Sequence, residues 1–240
     1  MAPIKDEAIV LRRLEYSETS QVLVFFAREH GRQRLIAKGI KRGTKKKAAV
    51  GIDLLERGDI MFLPCQRKAH GLGTLTEWRQ NDAYLGLRED LRRIYAGQYA
   101  AEITAAMTED GDPHPALFDA LTAVLDALRH TVTPKLLLID YQQALLRDTG
   151  LWPDLTRCVI CNRQAPEQRA GYFSAHQGGL VCRRCLPRVA ENRLVLAAVL
   201  TALRENHYPD QTVSETFDLL DYTISQTIGR PTTMSKFITE

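Results

Sequence analysis

The sequence has no apolar run long enough to cross a bilayer. The longest nearly unbroken one, Leu194 to Leu203, is about half of what a span needs. The opening residues, MAPIKDE, hold one lysine with no apolar core behind it. No secretory leader is therefore expected, and the protein is expected in the cytoplasm. Cysteine is scarce, with five in 240 residues. An odd number in a cytosolic chain argues against a disulfide framework.

Catalytic signatures are missing as well. There is no Gly-x-Ser-x-Gly and no His-Glu-x-x-His. Gly39-Ile-Lys-Arg-Gly43-Thr-Lys45 matches a phosphate-binding loop only in part. Its glycines stand too close together, Thr precedes Lys, and no apolar helix follows to aim its N-terminus at a phosphate. The acidic pairs Glu89–Asp90 and Glu109–Asp110 read as solvated helix surfaces or ends. A zinc deaminase needs His-x-Glu and Pro-Cys-x-x-Cys, and neither occurs. The expectation is a protein without an enzymatic centre.

What is present is an ordinary globular composition with an uneven charge. Hydrophobic residues make up 45% and charged residues 25%, which excludes a disordered chain or a coiled-coil rod. The net charge of +3 hides an asymmetry. Residues 1–80 carry 16 Lys/Arg against 9 Asp/Glu, whereas 81–240 carry 16 against 20. A basic N-terminal third points to a polyanion as its partner.

Residues 7–79 read as short strands at Ala8–Leu14, Gln21–Phe26, Arg32–Lys38, Ile60–Pro64 and Gly73–Trp78, separated by glycine or charged turns. This suits a small barrel, although periodicity alone leaves another barrel or a sandwich open. From Asn81 the apolar spacing turns helical, through Tyr84, Leu87, Leu91, Ile94, Tyr95 and Ile103. Asp112–Pro113 and Thr133–Pro134 read as N-cap and N1 pairs, and Gly150 as a helix stop. Pro187–Arg204 reads as one apolar helix. Thr212-Val-Ser-Glu215 reads as a capping box for a helix running to Gly229. The fold expected is α+β and multidomain. A small β-barrel spans 1–80 and an α-helical domain spans 81–240, with a cysteine insert at about 153–186; the resemblance described below makes that barrel an OB-fold.

That insert holds Cys158-Val-Ile-Cys161 and Cys182-Arg-Arg-Cys185. Each CxxC turn presents two thiolates on one side of a tight loop, and two facing turns make a closed tetrahedron for Zn²⁺. One structural zinc per chain is expected, on Cys158, Cys161, Cys182 and Cys185. An iron–sulfur cluster, a redox dithiol pair and free thiols are the alternatives. His176 is a possible substitute for one thiolate but reads as a solvated loop residue. Cys65 reads as a small apolar strand residue.

The second candidate is Arg32, Arg34, Lys38, Lys41, Arg42, Lys45, Lys46 and Lys47, a stretch with no acid inside it. Arg34 and Lys38 are expected on one strand face and Lys41–Lys47 in a loop. Such a segment binds phosphates and carries little sequence information. Tyr16, Phe25, Phe26 and Trp78 are candidates for stacking bases, with Phe25 and Phe26 expected on opposite faces.

Taken in order, several pieces resemble the bacterial RecO family of recombination mediators. They are Glu7-Ala-Ile-Val-Leu-Arg12, Tyr16-Ser-Glu, Arg28-Glu-His-Gly31, Ala37-Lys-Gly-Ile-Lys-Arg42 and Gly71-Leu-Gly-Thr-Leu-Thr76. The paired CxxC motifs and Ile228-Gly-Arg-Pro231 complete them. The resemblance implies an N-terminal OB-fold and a helical domain with an inserted zinc module. It implies binding of single- and double-stranded DNA, strand annealing, partnership with RecR, and action on DNA coated by single-strand-binding protein so that RecA can load. It also implies a nucleoid-associated place of work. The competing reading is a zinc-ribbon or OB-fold protein that regulates transcription or binds RNA.

Overall fold

The computed structural model describes residues 2–41, 51–65, 71–131, 133–166 and 168–238. The chain separates into two compact units, residues 1–132 and 133–240. Among the described residues, no helix is long and apolar enough to cross a membrane.

The first unit opens with five strands: β1 (Ile4–Glu15), β2 (Gln21–Ala27), β3 (Gly31–Ala37), β4 (Arg57–Leu63) and β5 (Gly73–Asp82). They close a barrel in the order β1-β2-β3-β5-β4, with β3 and β5 parallel and β4 returning antiparallel to β1. This is the small barrel the strand spacing suits, in the OB-type form the family resemblance implies. Its interior is filled by alternate residues, among them Ala8, Val10, Leu23, Phe25, Leu35, Ala37, Ile60, Phe62 and Leu75. An irregularity in β1 between Val10 and Arg12 interrupts the pairing with β2. There Val10 bonds instead to Leu55 and Glu56 of the β3–β4 connection.

Two helices follow, α1 (Leu91–Met107) and α2 (Pro115–Leu128). Both fall in the first unit, because the barrel needs their apolar faces. Phe26 is as buried as Phe25. It lies on the outer face against Phe118 of α2, with ring centroids 6.0 Å apart. The two phenylalanines thus lie on opposite faces as expected, and the outer one is covered by that helix. The helix starts at Pro115, one proline later than the Asp112–Pro113 reading. Asp112 is engaged elsewhere. Gly31 (φ +62) begins β3, and a Cβ there would come within 2.0 Å of the Asp112 carbonyl oxygen. The backbone of 112 is therefore pressed onto the barrel instead of capping a helix.

The second unit begins with α3 (Pro134–Asp148), started by Thr133–Pro134 as expected. A small antiparallel sheet follows, with β6 (Gly171–Ser174) between β7 (Gly179–Val181) and β8 (Arg193–Val195). The unit ends with α4 (Ala197–Glu205) and α5 (Asp210–Ile228), and α5 packs on both α3 and α4. The single helix expected over Pro187–Arg204 is corrected to a strand and a shorter helix. Leu194 pairs with Tyr172 of β6, and Leu196 is still extended (φ −67, ψ 150), so helix geometry starts only at Ala197. The capping box at Thr212 is also corrected. α5 starts at Asp210, and the Thr212 hydroxyl donates to the Pro209 carbonyl at 2.8 Å. Gly229 (φ 71) ends α5 as the sequence predicts.

Candidate metal centre and nucleic-acid interface

The first CxxC turn is shaped by backbone bonds. Cys158 N–H donates to the Arg163 carbonyl at 2.8 Å, and Asn162 N–H donates to the Cys158 carbonyl at 2.8 Å. Asn162 takes the left-handed conformation (φ 60) that closes such a turn. The second turn follows β7 directly, where Cys185 N–H and Leu186 N–H both donate to the Cys182 carbonyl. Gly179 brings the two turns together. A Cβ there would lie 2.4 Å from the Asp154 carbonyl oxygen and 2.8 Å from Val159. Val159, Ile160, Val181 and Val189 pack around the pair.

The four sulfurs of Cys158, Cys161, Cys182 and Cys185 lie within 4.8 Å of one another. Those of Cys161 and Cys182 are 3.7 Å apart. This clustering is consistent with a zinc site. Cys158 and Cys185 are buried, Cys182 is half-buried and Cys161 is exposed. Burial disfavours the Cys158 thiolate. Backbone N–H groups of Cys182, Cys161 and Ile160 outweigh it and bring the thiol down to about 6. Cys185 is pushed up to about 12 by burial and by its sulfur neighbours. One thiol ionises readily while another resists, as expected when four like charges share one small space. His176 is exposed and outside the cluster, and Cys65 lies just past β4, half-buried.

The basic segment sits differently from its linear reading. Arg32 and Arg34 project from the outer face of β3, where Arg34 stands opposite Val24, and Val24 opposite Arg12 of β1. Arg12, Arg32 and Arg34 line one open cavity of about 520 Å³ together with Glu109 and Asp110. Asp110 bridges two of them. Its carboxylate accepts from Arg32 Nε at 2.6 Å and pairs with Arg34 Nη2 at 2.6 Å. Arg32 also donates to the Ala105 carbonyl. Lys38 lies just beyond β3 and is exposed. Lys41 pairs with Glu15. Arg42, Lys45, Lys46 and Lys47 lie outside the described residues.

Folding thus brings two carboxylates to a stretch that has none of its own. Arg12 is the cation that linear reading missed. Alternation along β1 hints at its face, but only the β1–β2 register places it beside Arg34. Of the aromatic candidates, Phe25 and Phe26 are buried and Trp78 packs on Phe25 at 5.6 Å. Tyr16, in the β1–β2 loop, is 66% exposed and open to a base.

An OB-type barrel with an arginine row on its outer face, followed in the chain by a four-cysteine knuckle, fits the class of nucleic-acid-binding proteins. Sequence comparison narrows that class to one family. The chain matches the family models "Recombination protein O N terminal" over residues 1–84 and "Recombination protein O C terminal" over 88–236. It is similar to the DNA repair protein RecO of Bacillus subtilis (strain 168), 32% identical over 184 residues, covering 77% of this chain and 69% of that protein. The RecO of Rhodopirellula baltica is 35% identical over 204 residues, covering 82% and 73%. That of Bacillus pumilus is 27% identical over 248 residues, covering 99% and 94%. The chain belongs to the RecO family, and its function lies in DNA repair and recombination.

Proposed function

We propose that this protein is a non-enzymatic mediator that binds single- and double-stranded DNA without sequence preference and anneals complementary strands. The observation that carries the reading is the convergence of Arg12, Arg32 and Arg34 on one open cavity of the barrel's outer face. In sequence, β3 leads on into Lys38, Lys41, Arg42, Lys45, Lys46 and Lys47. Guanidinium and ammonium groups of this kind neutralise phosphates and read no bases. Two strands repel through their phosphates, and neutralising that charge lowers the barrier to their meeting. Base stacking then supplies the driving force, on the order of 1.4 kcal/mol per step. No nucleotide is consumed.

Cys158, Cys161, Cys182 and Cys185 hold one structural Zn²⁺ in this reading. A zinc ion about 2.3 Å from four thiolates sets neighbouring sulfurs at about 3.8 Å. The 3.7 Å between Cys161 and Cys182 supports that fit. Four ligands leave no open position for a reacting water, so the metal supplies folding energy only. Family membership supports the rest of the role. The protein works with RecR on DNA coated by single-strand-binding protein, helps RecA load, and acts in the cytoplasm at the nucleoid.

The test is annealing of complementary oligonucleotides without nucleotide, with and without single-strand-binding protein. The reading expects acceleration in both arms and no preference for RNA. A strong RNA preference through the 2′-hydroxyl, or binding to a single operator sequence, favours the regulator instead.

A further inference from the structure

A cavity of about 650 Å³ borders the cysteine knuckle, lined by Arg163, Arg169 and Arg183, by Tyr172 and Leu194, and by Cys158 and Cys182 of the knuckle itself. Among the described residues, no carboxylate lines it; Glu167 lies outside the described residues. Register places Tyr172 opposite both Val181 and Leu194, so these three share one face of the small sheet. Leu194 is 59% exposed at the outer edge of that sheet.

The nearby acids among the described residues are occupied. Asp154 accepts from Thr156 and pairs with Arg157. Glu191 accepts from Ser174 at 2.7 Å and also from Tyr222. Among the described residues, Arg163, Arg169, Arg183, Arg184 and Arg188 have no acidic partner, and all are exposed. Even a zinc tetrathiolate, with two net negative charges, leaves this surface positive.

We infer that this cavity is a second nucleic-acid site, which takes a short stretch of single-stranded DNA. Its size suits one or two nucleotides, since ligand cavities run from about 300 to 1,000 Å³. The arginines meet the phosphates, while Tyr172 and Leu194 offer apolar area to an unstacked base. Duplex DNA keeps its bases stacked inside and gains nothing from that apolar area. With one strand on the barrel and one on this cavity, a single chain carries both partners of an annealing reaction. The inference rests on the DNA-binding reading above, and adds to it a strand site outside the barrel.

The experiment counts strands on the full-length, zinc-loaded protein. A fluorescent ten-residue thymidine oligonucleotide is titrated at low salt, at protein concentrations well above the dissociation constant. Three variants accompany the native chain. One is Arg163→Ala/Arg169→Ala/Arg183→Ala, one is the same three positions changed to Lys, and one has Lys38, Lys41, Arg42 and Lys45–Lys47 neutralised. The native chain and the lysine variant are expected to bind two oligonucleotides. The alanine and barrel variants are expected to bind one each and to anneal at least tenfold more slowly.

A native stoichiometry of one, with annealing intact, overturns the second site and leaves the barrel reading standing. Two oligonucleotides retained on the alanine variant overturn it as well. So does loss of an aspartate-rich peptide, and not of the oligonucleotide, from that variant, because the cavity is then a peptide site. A native chain that neither binds nor anneals overturns both the inference and the function on which it rests.

Discussion

Asp110 occupies Arg32 and Arg34 where a phosphate is expected to sit. Its two oxygens take the two guanidiniums at 2.6 Å each, the arrangement a phosphate also adopts. Asp110→Asn removes the negative charge and keeps the side chain's shape. The 108–112 segment stays docked, because Gly111 N–H still donates to the Arg32 carbonyl at 3.0 Å. The pairs are partly exposed, with side chains 23%, 31% and 38% accessible for Arg32, Arg34 and Asp110. Their loss therefore costs about 1 kcal/mol or less of stability. The gain in binding is larger. One further phosphate contact steepens the log–log salt dependence by about 0.7 for a single strand, roughly fivefold tighter binding at 0.1 M salt. Fluorescence anisotropy with an oligonucleotide, from 50 to 400 mM salt, reads both quantities. An unchanged slope and affinity in Asp110→Asn refute the placing of DNA phosphates on Arg32 and Arg34.

Phe118→Ala removes the ring that covers Phe26 and is expected to cost about 3–5 kcal/mol, read as a lower urea midpoint for residues 1–132 by hydrogen exchange. Cys182→Ser is expected to release the metal and open residues 153–186 to protease while barrel amides stay protected, with zinc content measured in parallel. Burial opposes ionisation of Glu191, but bonds from Ser174, Tyr222 and the amides of Ala175 and His176 hold its carboxyl below the usual range. That stabilisation is present at neutral pH and is lost as pH falls below about 4.5 through the folded-state value. Hydrogen exchange across 171–195 is expected to rise there in the native chain, and Glu191→Gln is expected to flatten that dependence.

Strand positions and the cysteine knuckle were legible in the sequence because their signals are local. Alternation and glycine turns mark β1 to β5, and the paired CxxC motifs carry their own geometry. The errors arose where a distant partner decides. Leu194 and its neighbours read as helix until β6 claims them as a strand. Alternation places Phe26 on the face opposite Phe25, but not that α2, some ninety residues on, covers it. The Arg32–Asp110 pair joins residues 78 apart, so the acid that balances the basic stretch is invisible in a linear window. Arg12 was missed for the same reason, since it joins the row only through the β1–β2 register.

The central claim is that cations of the barrel, and no fuel, drive strand annealing. The most direct measurement is the annealing rate of two complementary oligonucleotides without nucleotide, across a salt series. It compares the native chain with the variant neutralised at Lys38, Lys41, Arg42, Lys45, Lys46 and Lys47, both checked for intact zinc. The account predicts fast annealing by the native chain, steep inhibition by salt, and a variant whose rate is near that of the unassisted reaction. A variant that anneals as fast as the native chain, with the same salt dependence, contradicts it.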